Sequence, residues 1–387
     1  MAKKEIYNHA LNPDAATMGQ FQSCYSEDFV VKAALMPDAH SGYVAPIGSV
    51  LVTEGKVVPS WVGYDIGCGM TAVKLKGKSL RKEISDKEAE IYGAVRDAVP
   101  MGLGEISGVG ELSDEGKKAF DGLVADFEAG PHDRGVLQFL KSGKAERHLG
   151  SLGHGNHFVE LATATGSDLW FVVHSGSRGV GWKAAELYMQ KSSGEKKDYE
   201  KTAPLDVDSE EGKEYVHLLA FALGFALENR LEIIRKAVGA LGSVLGREVR
   251  WEMWVNKNHN HAIKERGLWV HRKGATPAKR GERGVIPANM RDGSFLVEGK
   301  GAKEFLSSSS HGAGRVMSRT KARKEISMKE FSESMSGVVG CVAEETLDEA
   351  PQAYKPIDEV MKAQKKSVRS LGVLTPVMNW KGTKRRD

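Results

Sequence analysis

Gly63-Tyr64-Asp65-Ile66-Gly67-Cys68-Gly69-Met70 is the stretch on which the reading of this chain turns. A carboxylate and a thiol stand three residues apart, between glycines that leave the backbone free to turn. The 387 residues hold three cysteines, Cys24, Cys68 and Cys341, too few and odd in number for a disulfide framework. Cys68 therefore reads as a catalytic nucleophile or a metal ligand, and this stretch alone leaves both open.

Outward from it, 41% hydrophobic residues with mixed charge describe a globular chain long enough for a large core. The formal charge, 55 − 51 = +4, is mild, but it is unevenly spread. Arg272, Lys273, Lys279, Arg280, Arg283 and Arg291 are opposed only by Glu282, and Arg315, Arg319, Lys321, Arg323 and Lys324 follow. Such a surface suits a phosphate-rich partner; the bland alternative is a solvated face balanced by acids elsewhere in the fold. The N-terminus lacks an apolar signal region and no apolar run reaches membrane-spanning length. The expected compartment is the cytoplasm, with no membrane partner.

Residues 48–58 read as a hairpin around Glu54-Gly55, and 79–99, 113–127, 209–241 and 356–366 as helices, with 209–241 the core helix. Residues 168–174, 251–255, 268–271 and 294–297 read as strands. Strands and helices interleave, so the fold class is mixed α/β: a single large domain over 1–387 with mixed sheets. Within it, 76–150 is expected to be a peripheral helical insertion and 383–387 a basic tail.

Four of the twelve histidines sit in or just after apolar runs beside Gly, Asn or Ser: His157, His174, His259 and His311. Loops at strand ends commonly carry chemistry. Any one of them alone is better explained as a structural histidine. Together with Asp65 and Cys68 they supply the ligand types for Mn, Fe, Co or Zn. No CxxC or HExxH spacing is present, so such a site would be assembled from distant segments. In His311-Gly312-Ala313-Gly314-Arg315 small residues let backbone N–H groups approach a phosphate, and a histidine there can attack phosphorus. A Gly-rich helix start with a capping Ser is the competing explanation. Arg315 and Arg319, four apart, would share a helix face.

Taken together, MPDAH (36–40), GYDIGCGM (63–70), GNHFVE (155–160), HSGSRG (174–179), NHN (258–260), VHRKGATPA (270–278), SSSSHGAGRVMSR (307–319) and EAPQAYK (349–355) resemble the RtcB family of RNA ligases. The segments run in the family's order over nearly the whole chain. The resemblance implies an enzyme that joins RNA 3′-phosphate or 2′,3′-cyclic phosphate ends to 5′-hydroxyl ends, using GTP and two Mn²⁺ ions, in RNA repair or tRNA splicing. It implies that Asp65, Cys68 and His157 hold one ion and Cys68, His174 and His259 the other. His311 matches the histidine that takes GMP from GTP, giving a GMP-histidine intermediate and then an activated RNA 3′ end. Asn156, Glu160, Asn289, Ser294, Gly312, Ala313, Gly314, Tyr354 and Lys381 match nucleotide-holding positions. Of these, Glu160 and Lys381 would read guanine and Tyr354 would stack on it. Arg178, Arg315 and Arg319 match basic residues near the RNA ends.

There are departures from the pattern. Asn289 stands where the family often has Ser, His261 is an additional histidine two after His259, and Thr-Lys-Arg-Arg-Asp extends the chain past Lys381-Gly382. Residues 76–150 match only loosely. Two other readings compete: a binuclear phosphoesterase opening 2′,3′-cyclic phosphates without joining, and a non-catalytic RNA-binding protein. The resemblance leaves open which RNA is used and whether a protein activator takes part.

Overall fold

The computed structural model describes residues 4–77, 80–102, 104, 106–108, 111–164 and 168–383. Its largest sheet follows the order Arg283–Pro287, Ser294–Gly299, Val368–Trp380, Phe158–Thr163, Leu169–Ser175, Gly69–Lys76, Arg250–Asn258. Val339–Gly340 adds a short parallel pairing to Val368–Trp380. A second sheet orders Glu5–Asn8, Val30–His40, Ile47–Thr53, Leu268–Lys273 and Asn260–Glu265. The mixed α/β class is thus observed.

The long helix Glu210–Leu245 organises the core. Ser209 caps its start by accepting from the Gly212 N–H, and Gly246, in the left-handed region, closes its end. Ile233, Ile234, Ala237 and Leu241 meet Val73, Val159, Phe171 and Val173 of the largest sheet in one apolar cluster. The other face of that sheet buries Met70, Phe158, Val172, Val285 and Leu296. Helices Glu88–Ala98 and Asp114–Ala129 pack against the long helix, burying Ile91, Val95, Phe120 and Phe127.

The core helix, the 113–127 helix and the four strands read from sequence are present, with ends moved by at most four residues. Two expectations change. The run 48–58 is not a hairpin: Ile47–Thr53 pairs with Val30–His40 and Leu268–Lys273, while Lys56–Val57 pairs with Leu205–Asp206. Both edges of the first strand are already filled, so the returning strand finds another partner. The 79–99 helix is two pieces, Leu80–Ser85 and Glu88–Ala98, broken where Lys87 leaves helical geometry and sends its ammonium to the Val244 carbonyl. Ser79 and residues 384–387 of the basic tail lie outside the described residues. Among the described residues, no helix is long and apolar enough to cross a membrane.

Candidate active site

Strand register carries the site. Gly69 pairs with both Ser175 and Asn258, and Phe158 pairs with His174. Four antiparallel or adjoining strands therefore begin or end along one edge of the largest sheet. That places Cys68, His157, His174 and His259 together although they are far apart in the chain. The crowding needs glycine: a Cβ on Gly69 would stand 2.1 Å from the Lys257 carbonyl oxygen. Gly67, at φ +75, turns the chain into this edge.

Cys68 Sγ lies 3.1 Å from His174 Nε2 and 3.5 Å from His157 Nε2. His157 Nε2 is 2.9 Å from Asp65 Oδ2, and His174 Nε2 is 3.2 Å from His259 Nε2. The thiol and the first two imidazoles meet the geometry of a metal-binding group. His157 Nδ1 and His174 Nδ1 face the Leu152 and Asn156 carbonyls at 2.9 and 3.1 Å. Donating there fixes the tautomer that leaves each Nε2 lone pair facing the cluster. His259 Nδ1 is buried without a hydrogen-bond partner. Burial pulls His174 and His259 well below their ordinary values, keeping them neutral. Burial, and next the Asp65 carboxylate, push the Cys68 thiol far up, so a thiolate here requires an added cation. Burial opposes the ionised Asp65 too, but His157, Cys68 and Arg178 outweigh it and hold the carboxyl at about 2. A soft thiol, imidazoles and a carboxylate are a donor set that fits a transition metal.

Arg230, fully buried on the long helix, ties these loops together. Its guanidinium donates to the Gly67 and Ser175 carbonyls at 2.9 Å each and to Asn258 Oδ1 at 2.6 Å, with further bonds to Thr71 and Asn256. Gly67 precedes Cys68, Ser175 follows His174 and Asn258 precedes His259, so one side chain braces three ligand-bearing segments. Nothing local in the sequence marks it; it reads there as an arginine in an amphipathic helix. His261 belongs elsewhere, with its Nε2 3.3 Å from the Arg272 guanidinium.

His311 follows the short strand Ser308–Ser310 and stands edge-on to His259, ring centroids 4.8 Å apart. Its Nδ1 is 2.7 Å from Asp38 Oδ2, which also accepts from the His311 and Gly312 N–H groups. Asp38 is completely buried. Burial opposes its charge, but His311, His40 and Ser310 prevail and hold the carboxyl below its ordinary value. A carboxylate accepting a hydrogen bond from Nδ1–H fixes the tautomer whose Nε2 lone pair points outward. Asp38 lies in the quoted MPDAH segment, yet only the fold reveals its partner 273 residues away.

His311 opens onto a cavity of about 750 Å³, lined also by Cys68, His174, His259, Asn156 and Asn289. Gly312, Ala313, Gly314, Tyr354 and Lys381 share its wall. Glu160 and Ser294 are buried off that wall. Glu160 accepts from Asn379 Nδ2 at 3.0 Å, its second oxygen and the Ser294 hydroxyl have no partner, and Asn379 itself lines the cavity. Burial pushes the Glu160 carboxyl up to about 8, against the smaller pulls of Asn379 and Lys381. Asn289 is turned locally, with Nδ2 on Asp292 and Oδ1 accepting from the Arg291 and Asp292 N–H groups.

Glu349, in the quoted EAPQAYK segment but given no role from sequence, collects the remaining cations. Lys381 Nζ lies 3.0 Å and Arg315 3.3 Å from its carboxylate; Arg319 pairs with it and the Tyr354 hydroxyl donates to it. Arg315 and Arg319 do not share a helix face, because the helix starts at Arg319 with Ser318 as its cap. They meet through Glu349 instead. Lys381 stays buried although the chain continues beyond it. Arg178 lines a neighbouring cavity with Asp65 and His157.

Comparison with known proteins identifies a family. The family model described as "tRNA-splicing ligase RtcB" matches residues 20–382. The chain is 35% identical over 368 residues to the RNA-splicing ligase RtcB of Escherichia coli K12, covering 90% of each chain. It is 30% identical over 405 residues to the tRNA-splicing ligase RtcB of Nanoarchaeum equitans, covering 85% of this chain and 83% of that one. The RNA-splicing ligase RtcB of Mycobacterium tuberculosis is 28% identical over 427 residues, with 91% and 98% covered.

Proposed function

The chain belongs to the RtcB family, and on that premise we propose that it seals RNA breaks through a guanylylated His311. It is an enzyme, an RNA ligase of the RtcB type acting in tRNA splicing or repair. The ends we assign to it are a 3′-phosphate, or a 2′,3′-cyclic phosphate first opened by water, and a 5′-hydroxyl. GTP is the energy source, and two Mn²⁺ ions are the metals, held by Asp65, Cys68, His157, His174 and His259. When bound, such ions neutralise phosphate charge and act as a template for in-line displacement.

The observation that carries this reading is His311 between Asp38 and His259. Asp38 holds the Nδ1 proton and Nε2 attacks the α-phosphorus of GTP, so the P–O bond to the β-phosphate breaks and diphosphate leaves with the electron pair. Gly312, Ala313 and Gly314 offer backbone N–H groups to the phosphates, and Tyr354 and Lys381 line the guanine end of the cavity, with Glu160 buried behind Asn379 as the acceptor that guanine reaches. Asn156, Asn289 and Ser294 complete the nucleotide contacts. The GMP group then passes to the RNA 3′-phosphate, which breaks the P–N bond and frees His311. The 5′-hydroxyl oxygen next attacks that activated phosphorus, loses its proton to the surroundings and expels GMP, leaving a phosphodiester. Arg178, Arg315 and Arg319 supply positive charge where the RNA ends meet.

Incubation with α-labelled GTP and Mn²⁺ followed by a denaturing gel tests the reading. The wild type should carry label. His311→Ala should carry none while keeping its metal, and Cys68→Ser should lose metal and label together. An unlabelled wild type, or label persisting in His311→Ala, would overturn it.

A further inference from the structure

Two aromatic side chains stand exposed at the mouth of the site, Tyr43 at 72% and Trp182 at 47%. Tyr64 joins them into a ladder. Its ring stacks on Trp182 with centroids 5.8 Å apart and planes 17° from parallel, and it meets Tyr43 edge-on at 5.8 Å. The Tyr64 hydroxyl is bonded to Glu200, which fixes the orientation of the middle ring. With Val316, these make three of the five large exposed apolar side chains among the described residues, and all three border the His311 cavity. Apolar surface gathered at one opening marks a place where something docks.

The three rings line the His311 cavity and also a second one of about 710 Å³ that reaches Asp65, His157 and Arg178. Trp182 lies four residues after Arg178, which begins the helix Arg178–Ser193, and both line that second cavity. Arg178 adopts φ +57, a left-handed conformation unfavourable for a residue with a side chain, and its Nε donates to Ser151 Oγ at 3.3 Å. Strain of this kind persists where surrounding structure enforces it, commonly at functional sites.

We propose that Tyr43, Tyr64 and Trp182 form a stacking platform for the base of the terminal nucleotide at a single-stranded RNA end, whose phosphate faces Arg178 and the Asp65–Cys68 edge. This rests on the RNA-ligase reading above. Aromatic faces stack on any base, and a cation beside them, here Arg178, takes the adjoining phosphate; that pairing recognises single strands without sequence preference. A duplex end keeps its bases stacked on one another and gains less.

The test is a two-by-two binding cycle with the full chain. The probe is a short fluorescent oligoribonucleotide bearing a 3′-phosphate, compared with the same oligonucleotide made abasic at its last residue. For the wild type, removing the base should weaken binding about tenfold. Trp182→Ala should bind the intact probe about tenfold more weakly and no longer distinguish the two probes, and Trp182→Phe should restore most of the difference. Tyr43→Ala, at a largely exposed position, supplies an independent arm should Trp182→Ala disturb the helix. Equal wild-type affinity for both probes, or an undiminished difference in both alanine variants, would overturn the proposal and assign the patch to another occupant, such as a protein surface. Failure of the RNA-ligase reading is separately visible, as absence of guanylylation.

Discussion

Two buried clusters border the same cavity and are satisfied in opposite ways. Around Cys68, electron-pair donors face one another: a thiol, a carboxylate and three imidazoles, with the cations Arg230 and Arg178 standing beside the set and outside it. Around Glu349, cations and a phenol converge on one carboxylate, and the set is internally complete. The first arrangement gains by accepting a metal ion. The second needs no added ion to balance Glu349, and the ion pairs hold Arg315, Arg319 and Lys381 in place on the cavity wall. A cluster whose members share a sign of need thus calls for an added ion, whereas one whose members complement each other holds its side chains in position without one.

The sharpest way to break this contrast is to remove the centre of the complete cluster. Glu349→Ala strands Lys381 as a buried charge and should cost about 3–5 kcal/mol, read as a fall in the denaturant midpoint. Burial opposes the Glu349 carboxylate, but Lys381, Arg319 and Arg315 hold it below its ordinary value of 4.5. A lowered acid contributes its stability in full above that value and loses it as pH falls below. Wild type and Glu349→Gln should therefore differ most near neutral pH and draw together in thermal midpoint progressively as pH falls below about 4.5. A constant difference across that range would mean that the carboxylate is not what holds the wall.

The incomplete cluster is probed through its brace. Arg230→Met keeps the ligands but frees the three segments that carry them, and should weaken metal binding about 10–100-fold in chelator competition. Unchanged metal affinity would show that sheet register alone positions the ligands. The smallest effect concerns Glu160, which belongs to neither cluster. With its carboxyl at about 8 it is protonated at pH 7. Guanine N–H donors stabilise the carboxylate, so GTP binding should release up to about one proton. Calorimetry in buffers of different ionisation enthalpy reads that release, and Glu160→Gln should abolish it.

Much of the chemistry was legible because it lies in short segments of unusual composition: Asp65 with Cys68, His311 before Gly-Ala-Gly, histidines after apolar runs. The strands Gly69–Lys76, Phe158–Thr163 and Val368–Trp380, which build the centre of the sheet, gave no clear signal. Val368–Trp380 is interrupted by Gly372 and Pro376, which mask its alternation. The hairpin at 48–58 and the shared helix face of Arg315 and Arg319 failed for one reason. Spacing proposes neighbours within a segment, whereas pairing is settled by whichever partner across the fold satisfies the backbone or the charge.

The sequence by itself determined which atoms are available: one thiol among glycines, the histidines, a phosphate-suited loop and the order of motifs that places the chain in its family. Only the tertiary structure decided which of those atoms meet. Cys68 sits with His157, His174 and His259 because antiparallel register ends four strands at one edge. Arg230, Asp38 and Glu349 acquire roles because burial removes water and obliges each charge to find a partner, however distant in the chain.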